Sequence, residues 1–516
     1  MRRTLLLAAA LALLASVGVI GALAFEPDAT DPARNIALPC EKVATPGLVA
    51  RTNKDIFHVA NVCGIVGTDV ELQSRRDATG KVHDYAFVGT MGAGFQIYDV
   101  TEPTRPKEAG GYLDSGWQND IQVAGDIAVS TFDGVSGEDS SASTCLKTRY
   151  PDASGQGVDV YRLDFNELTA VFEVNLLTCV ANPPGGAHNS TLAPGGGWLA
   201  IENPSSDWAV DVIDLNGALA GAEPVHRYRL IDESRRNSAG RCPEGASFTC
   251  VVMTRPDGSS ASGLWRPHDA HFSADGRTLY VAAINSTFVV DVRRVLEGRV
   301  KTIAIIPNKL DDGVDDHNDI AISHQADVTP DGKILVIGDE QGGGTSNTSC
   351  NTEPGGIVGA LHFWALAPID GVPASKGAKP SSPKRLGAYI NPNPTLLPDP
   401  LEASIRLERG CTVHVFRIGG NGTSSPGESA GGFDGVSDLS SRQLTTAWYG
   451  AGVWHVDFSG RPSSTDGIAE DPRTTWGNTL GWNVMPGADT WSAKEYRGHV
   501  YAGDMIRGFD VYRLAG

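Results

Sequence analysis

Three short segments each open on a histidine and run into a hairpin turn: His188-Asn189-Ser190-Thr191, His268-Asp269-Ala270-His271 and His324-Gln325-Ala326-Asp327. The turns that follow are Ala193-Pro194-Gly195-Gly196, Ser273-Ala274-Asp275-Gly276 and Thr329-Pro330-Asp331-Gly332, and Pro-Gly and Asp-Gly pairs are hairpin chemistry. Set in register by those turns, the three imidazoles fall at one position. Three residues further on lie His271 and Asp327, with His414 at that second position in the next unit. The preceding unit places Trp117 and Asp120 at the two positions. With only 12 His in the chain, three in one register are not scatter. Imidazoles gathered beside Asp269 and Asp327 are a donor set for a transition metal. Glu202, Asp339, Glu340 and Asp504 close neighbouring strands and are carboxylates of the kind that orient a ligating ring. The other role open to all of these residues is structural, bonding backbone groups of the next repeat or holding water. The predicted metal set is therefore His188, His268, His271, His324, His414, Asp269, Asp327 and Glu340, with no catalytic residue assigned.

Other chemistry is sparse. Asp311 to Asp319 is dense in oxygen donors but lacks EF-hand spacing, so a solvated acidic loop is expected there ahead of a calcium site. Aromatics near loop ends (Trp117, Trp208, Trp265, Trp448, Tyr449, Trp476, Trp482, Trp491) are read mostly as packing, with a carbohydrate or peptide groove as the alternative. There is no H-E-x-x-H, no nucleophile elbow, no Walker loop and no dinucleotide fingerprint.

These residues need a scaffold, and the chain supplies one by repetition. A strand-like segment recurs seven times, often closing on Asp: Phe95–Val100, Val158–Leu163, Ala209–Leu215, Phe288–Val292, Leu361–Leu366, Val453–Phe458 and Phe509–Leu514. Period-two alternation predicts a strand with one buried face in each. A second apolar strand precedes most copies (Tyr85–Gly89, Trp198–Glu202, Thr278–Ala282, Ile334–Gly338, Leu444–Trp448, His499–Gly503), and a further strand follows many, such as Val225–Leu230. The unit is four antiparallel strands. Such a sheet cannot bury both faces alone, and stacking seven around an axis does so, which predicts an all-β, seven-bladed β-propeller with long loops. No fourth strand follows Leu514, and Asp55–Val59 is expected to supply it and close the ring.

The closing-Asp strands, and especially Tyr501-Ala502-Gly503-Asp504-Met505-Ile506-Arg507-Gly508-Phe509-Asp510-Val511, resemble the LVIVD-repeat propellers of exported bacterial proteins. His324 to Glu340 and Cys411–Ile418 are similar to segments of the same group. The resemblance spans almost the whole chain after residue 24; it implies fold and export and no single activity. The closing Asp is missing at Leu361–Leu366 and from both VYRL copies.

Composition agrees with that scaffold. A length of 516 residues would ordinarily suggest about three domains, but 61 Gly and 30 Pro are spread throughout, so the chain turns often. A net charge of −19 argues against a nucleic-acid partner. Arg2-Arg3, the apolar run Leu5 to Ala24 and the Ala22-Leu23-Ala24 end are laid out as a signal peptide over 1–24, leaving 25–50 as an N-terminal extension and 51–516 as the propeller. Export places the eight Cys in an oxidising setting. Of 105 possible connectivities the sequential one is expected: Cys40–Cys63, Cys145–Cys179, Cys242–Cys250 and Cys350–Cys411. The leading expectation is a secreted or cell-surface monomer acting as a binding scaffold for an extracellular protein, peptide or glycan, with no membrane contact beyond its export signal. The rival is a metal-dependent oxidase or hydrolase using the histidines at the axial opening, with a transition metal rather than calcium as its cofactor.

Overall fold

A computed structural model of the chain describes residues 52–92, 94–114, 118–133, 143–150, 157–181, 187–203, 209–232, 249–253, 265–309, 319–341, 359–392, 412–421, 432–434, 437–463 and 473–515. The seven recurring segments are the third strands of seven four-stranded antiparallel sheets. Blade 1 runs from Gly67–Arg76, innermost, to Lys107–Tyr112 at the rim, and blades 2 to 6 follow in chain order with inner strands Gln118–Ala124, Asn189–Leu192, Asp269–Phe272, Ser323–Val328 and Phe416–Ile418. Blade 7 begins at Thr490–Tyr496 and ends on Gly508–Leu514.

The ring closes as expected. Ile56–Val62 pairs antiparallel with Gly508–Leu514, so blade 7 takes its rim strand from the other end of the chain. Gly508 permits the closure, because its φ is +96° and a Cβ there would meet the Val62 carbonyl oxygen at 2.4 Å.

The strands are more deeply buried than one buried face implies. Ala209–Asp214 and Leu361–Ala365 are buried at every residue, as is the second strand Ile334–Asp339. Each blade has a neighbour on both sides, so both faces of its middle strands are covered. Rim strands such as Arg299–Pro307 show alternating exposure. The core lies between blades: Trp265 is fully buried among Val281, Phe288 and Val290 of blade 4 and Val210 and Leu230 of blade 3.

Three sheets carry a fifth strand. Thr52–Lys54 extends blade 6 and Thr249–Met253 extends blade 3 in parallel. Gly432–Asp434 departs from blade 6 and pairs with Gln73, Ser74 and Arg75 of the innermost strand of blade 1. That puts extra backbone inside the ring at the end of the axis where inner strands finish, opposite the end where the histidines stand. Cys145, on the short helix Thr144–Arg149, is bridged to Cys179 near the end of the blade 2 rim strand. Cys63 is also disulfide-bonded; the side chains of Cys40, Cys242, Cys250, Cys350 and Cys411 lie outside the described residues, as do residues 1–51 and 311–318. No helix among the described residues is long and apolar enough to cross a membrane.

Candidate functional site

Inner strands start at one mouth of the axis. His188 and His268 immediately precede those of blades 3 and 4, His324 is the second residue of that of blade 5, and His414 lies two residues before that of blade 6. Successive ring centroids are 4.1, 4.4 and 4.3 Å apart, so four imidazoles from four blades form one continuous arc. Trp491 continues it from blade 7, 4.2 Å from His414, and Tyr449 packs on His414 at 4.7 Å.

His414 corrects the expected register. It belongs to this upper tier with the other three, and the residue three further on is Arg417. In blades 3 to 5 a tight hairpin turn fixes the register of the inner strand. In blade 6 the connection from Phe416–Ile418 to Gln443–Ala447 is long and includes the inserted strand Gly432–Asp434, so no turn marks the position.

Each imidazole is buried and its protonation is set by its surroundings. Burial and the neighbouring rings push His268 and His324 well below the ordinary histidine range. Burial takes His414 down to about 3. His188 moves up: burial opposes its charge, but the Asp133 carboxylate, 2.7 Å from Nδ1, outweighs that. His414 Nδ1 lies 2.6 Å from the Trp491 carbonyl oxygen and so must carry the proton, which leaves Nε2 as a free lone pair. Among the described residues Nδ1 of His268 and of His324 has no hydrogen-bond partner.

Glu340 completes the group. Its Oε2 is 3.7 Å from His324 Nε2 and its Oε1 is 3.8 Å from His414 Nε2. His268, His324 and Glu340 present ligand atoms that all lie within 4.8 Å of one another. Those gaps are too long for hydrogen bonds. They suit a shared ion, since ligands about 2.0–2.2 Å from a metal lie roughly 3–4 Å from each other. Burial pushes the Glu340 carboxyl up to about 7, against the hydrogen bond from Tyr449 and the charge of His188.

The remaining predicted ligands stand beside this arc rather than in it. His271 and Asp269 line a small cavity of about 30 Å³ with Asp69, Asp120 and Lys494, and His324, His414 and Trp491 of the arc wall the same cavity. Asp327 is turned to Asn421, 2.9 Å away, and to the Val328 amide. Lys494 donates to Asp69 and Glu71 at 3.0 and 2.9 Å, and burial with the Asp69 charge holds the Asp120 carboxyl up to about 7. Asp339 and Asp504 take the structural role: Asp339 accepts from the Ala321 and Ile322 amides, and Asp504 from those of Asp489, Ile506 and Arg507. Nothing in the sequence marks Asp133 or Trp491 as a partner of the imidazoles on residue type alone. Asp133 closes the second strand of blade 2 (Ile127–Asp133), as Glu340 follows that of blade 5, and this equivalence is the signal for it.

No family model matches the chain, and none of the curated proteins matches it. Solved propellers align along most of its length: the Myceliophteria thermophila Cps50 (Swd1) β-propeller domain at 9% identity over 89% of this chain and 99% of that one, with a TM-score of 0.47. The Pseudomonas aeruginosa periplasmic gluconolactonase PpgL matches at 11% identity, 82% and 98% coverage and a TM-score of 0.42. Kuenenia stuttgartiensis hydrazine synthase matches at 12% identity, 86% and 95% coverage and a TM-score of 0.43. Similarity at this level is to the fold and carries nothing about the chemistry at the axis.

Proposed function

We propose that the chain is an exported, LVIVD-type propeller whose axial histidines hold a transition metal, and that it works as a metal-dependent oxidase. The observation that carries this is the arc of four buried imidazoles, of which the three held neutral, His268, His324 and His414, stand at the Glu340 carboxylate. Neutral imidazole is the form that ligates. Burying three such rings in contact, two with an unpartnered nitrogen, is costly for a purely structural plug. The three neutral nitrogens of His268, His324 and His414 with the Glu340 carboxylate would fill tetrahedral zinc, whose catalytic sites keep a position open with three protein ligands. The same set suits the higher coordination of iron or copper, which supplies one-electron chemistry, so oxidase is favoured over hydrolase. Asp133 on His188 and the Trp491 carbonyl on His414 are the outer partners such ligands need. The apolar leader and the Cys145–Cys179 bridge support export.

The test is elemental analysis of purified protein, as isolated and after reconstitution with iron, copper and zinc. One transition metal per chain is expected, lost in the His268→Ala, His324→Ala double variant. Protein that stays metal-free under all three conditions returns the chain to the binding-scaffold reading.

A further inference from the structure

Tyr449 has a conformation and a single polar contact that packing does not explain. It follows the second strand of blade 6 (Gln443–Ala447) in the turn leading to the third. Its φ is 40°, in the left-handed region that a non-glycine residue enters only under constraint. The tight turn closes on itself, the Gly452 amide donating to the Tyr449 carbonyl oxygen at 2.9 Å, and blade 7 pins it: the Tyr449 amide donates to the Thr490 carbonyl oxygen, and the Thr490 amide donates back to that of Tyr449, both at 3.1 Å. The ring is 2% exposed and lies against His414 and Trp491. From there the phenol reaches one blade back and donates to Glu340 Oε1 at 2.7 Å.

We propose that Tyr449 is the positioning residue for Glu340 at the axial metal centre, an inference that rests on the metal reading above. A carboxylate on a two-carbon stem can swing its plane or bind an ion through both oxygens. The Tyr449 hydroxyl occupies a lone pair of Oε1. Oε2 is then left facing His324 Nε2, and Oε1 stays 3.8 Å from His414 Nε2. The phenol thus fixes which oxygen is offered and at what angle, and the left-handed turn is what brings the hydroxyl to that point. Strain held at a turn by two backbone bonds from the next blade is the form in which a functional geometry is stored. Tyr449 itself acts through Glu340, as an outer partner acts through the ligand it orients.

The experiment is a double-mutant cycle on copper(II) affinity, measured by chelator competition with the full chain: wild type, Tyr449→Phe, Glu340→Gln and the pair. The Phe substitution keeps the ring packing and removes only Oη. We expect it to weaken copper binding about 10–100-fold and to change the copper hyperfine pattern in electron paramagnetic resonance. In the Glu340→Gln background the same substitution should cost no further affinity beyond about twofold, because the group it orients is gone. Multiplicative losses in the pair, or a Tyr449→Phe protein with wild-type affinity and spectrum, overturn the proposal while leaving the metal centre intact. Wild-type protein that takes up no copper sensitive to His268→Ala overturns both.

Discussion

Single residues in this molecule titrate according to what burial leaves beside them. Asp159 illustrates it away from the axis: it is fully buried, accepts from Ser143 Oγ at 2.9 Å and Tyr161 Oη at 3.2 Å, and burial pushes its carboxyl up to about 7. An acid whose folded value lies above its unfolded one holds its proton longer in the native state. Stability is then greatest at low pH and is lost as pH rises from about 4 through 7. Linkage puts that loss at roughly 4 kcal/mol. Asp159→Asn should abolish it, leaving a variant at least as stable as wild type at pH 8 in urea titrations and relatively weaker at pH 5. A variant with the wild-type pH slope would show that the slope arises elsewhere. At this scale the sequence was legible where local chemistry sets position. His188, His268 and His324 were placed together because each runs into a tight turn. In the sequence Tyr449 is only a loop-end aromatic, since nothing in the residue type announces a left-handed backbone.

Elements were easier to read than the contacts between them. Seven alternating segments and their turn residues foretold seven blades, and the lack of a strand after Leu514 foretold the closing strand. What periodicity does not carry is which face meets which neighbour, so the full burial of Ala209–Asp214 and the insertion of Gly432–Asp434 against blade 1 were not legible. The closing strand is also latched by side chains. Asp510, fully buried in blade 7, accepts from Arg507 at 2.6 and 2.9 Å and from Asn61 of Ile56–Val62 at 2.8 Å, with His58 of the same strand 2.7 Å away. Burial alone would raise the Asp510 carboxyl, but the Arg507 guanidinium and His58 outweigh it and hold it far below the usual range. Its contribution is therefore present above about pH 4 and fades only in strong acid. Removing one partner of a buried ion pair costs about 3–5 kcal/mol. Asp510→Asn should lose that much in denaturant unfolding and expose residues 56–62 to limited proteolysis. Asp291→Asn, whose partner Arg293 is on the surface, is the control and should change stability by less than about 1 kcal/mol. Equal effects of the two would mean that the latch does not hold the ring.

At the scale of the whole ring, closure makes every interface between blades a possible point of opening, and stability is governed by the weakest. The four histidines come from blades 3, 4, 5 and 6, and Glu340 is presented by blade 5. A metal bound by His268, His324, His414 and Glu340 is a staple across the two interfaces between blades 4, 5 and 6, made where the inner strands converge and a small displacement separates the ligands. Binding to the native state alone adds about 4 kcal/mol at a thousandfold excess over Kd. The gain should not be uniform in local opening. Hydrogen exchange on metal loading should slow most in Asp269–Phe272, Ser323–Val328 and Phe416–Ile418. Gly67–Arg76 and Gln118–Ala124, whose blades give no imidazole to the arc, should change least. With the stapled half tightened, opening should move to blades 1 and 2 and to the Ile56–Val62 latch, so that Asp510→Asn lowers the melting temperature of metal-loaded protein more than that of metal-free protein. Protection that rises equally in all seven inner strands, or a latch variant indifferent to metal, would show that the ion does not bridge the blades.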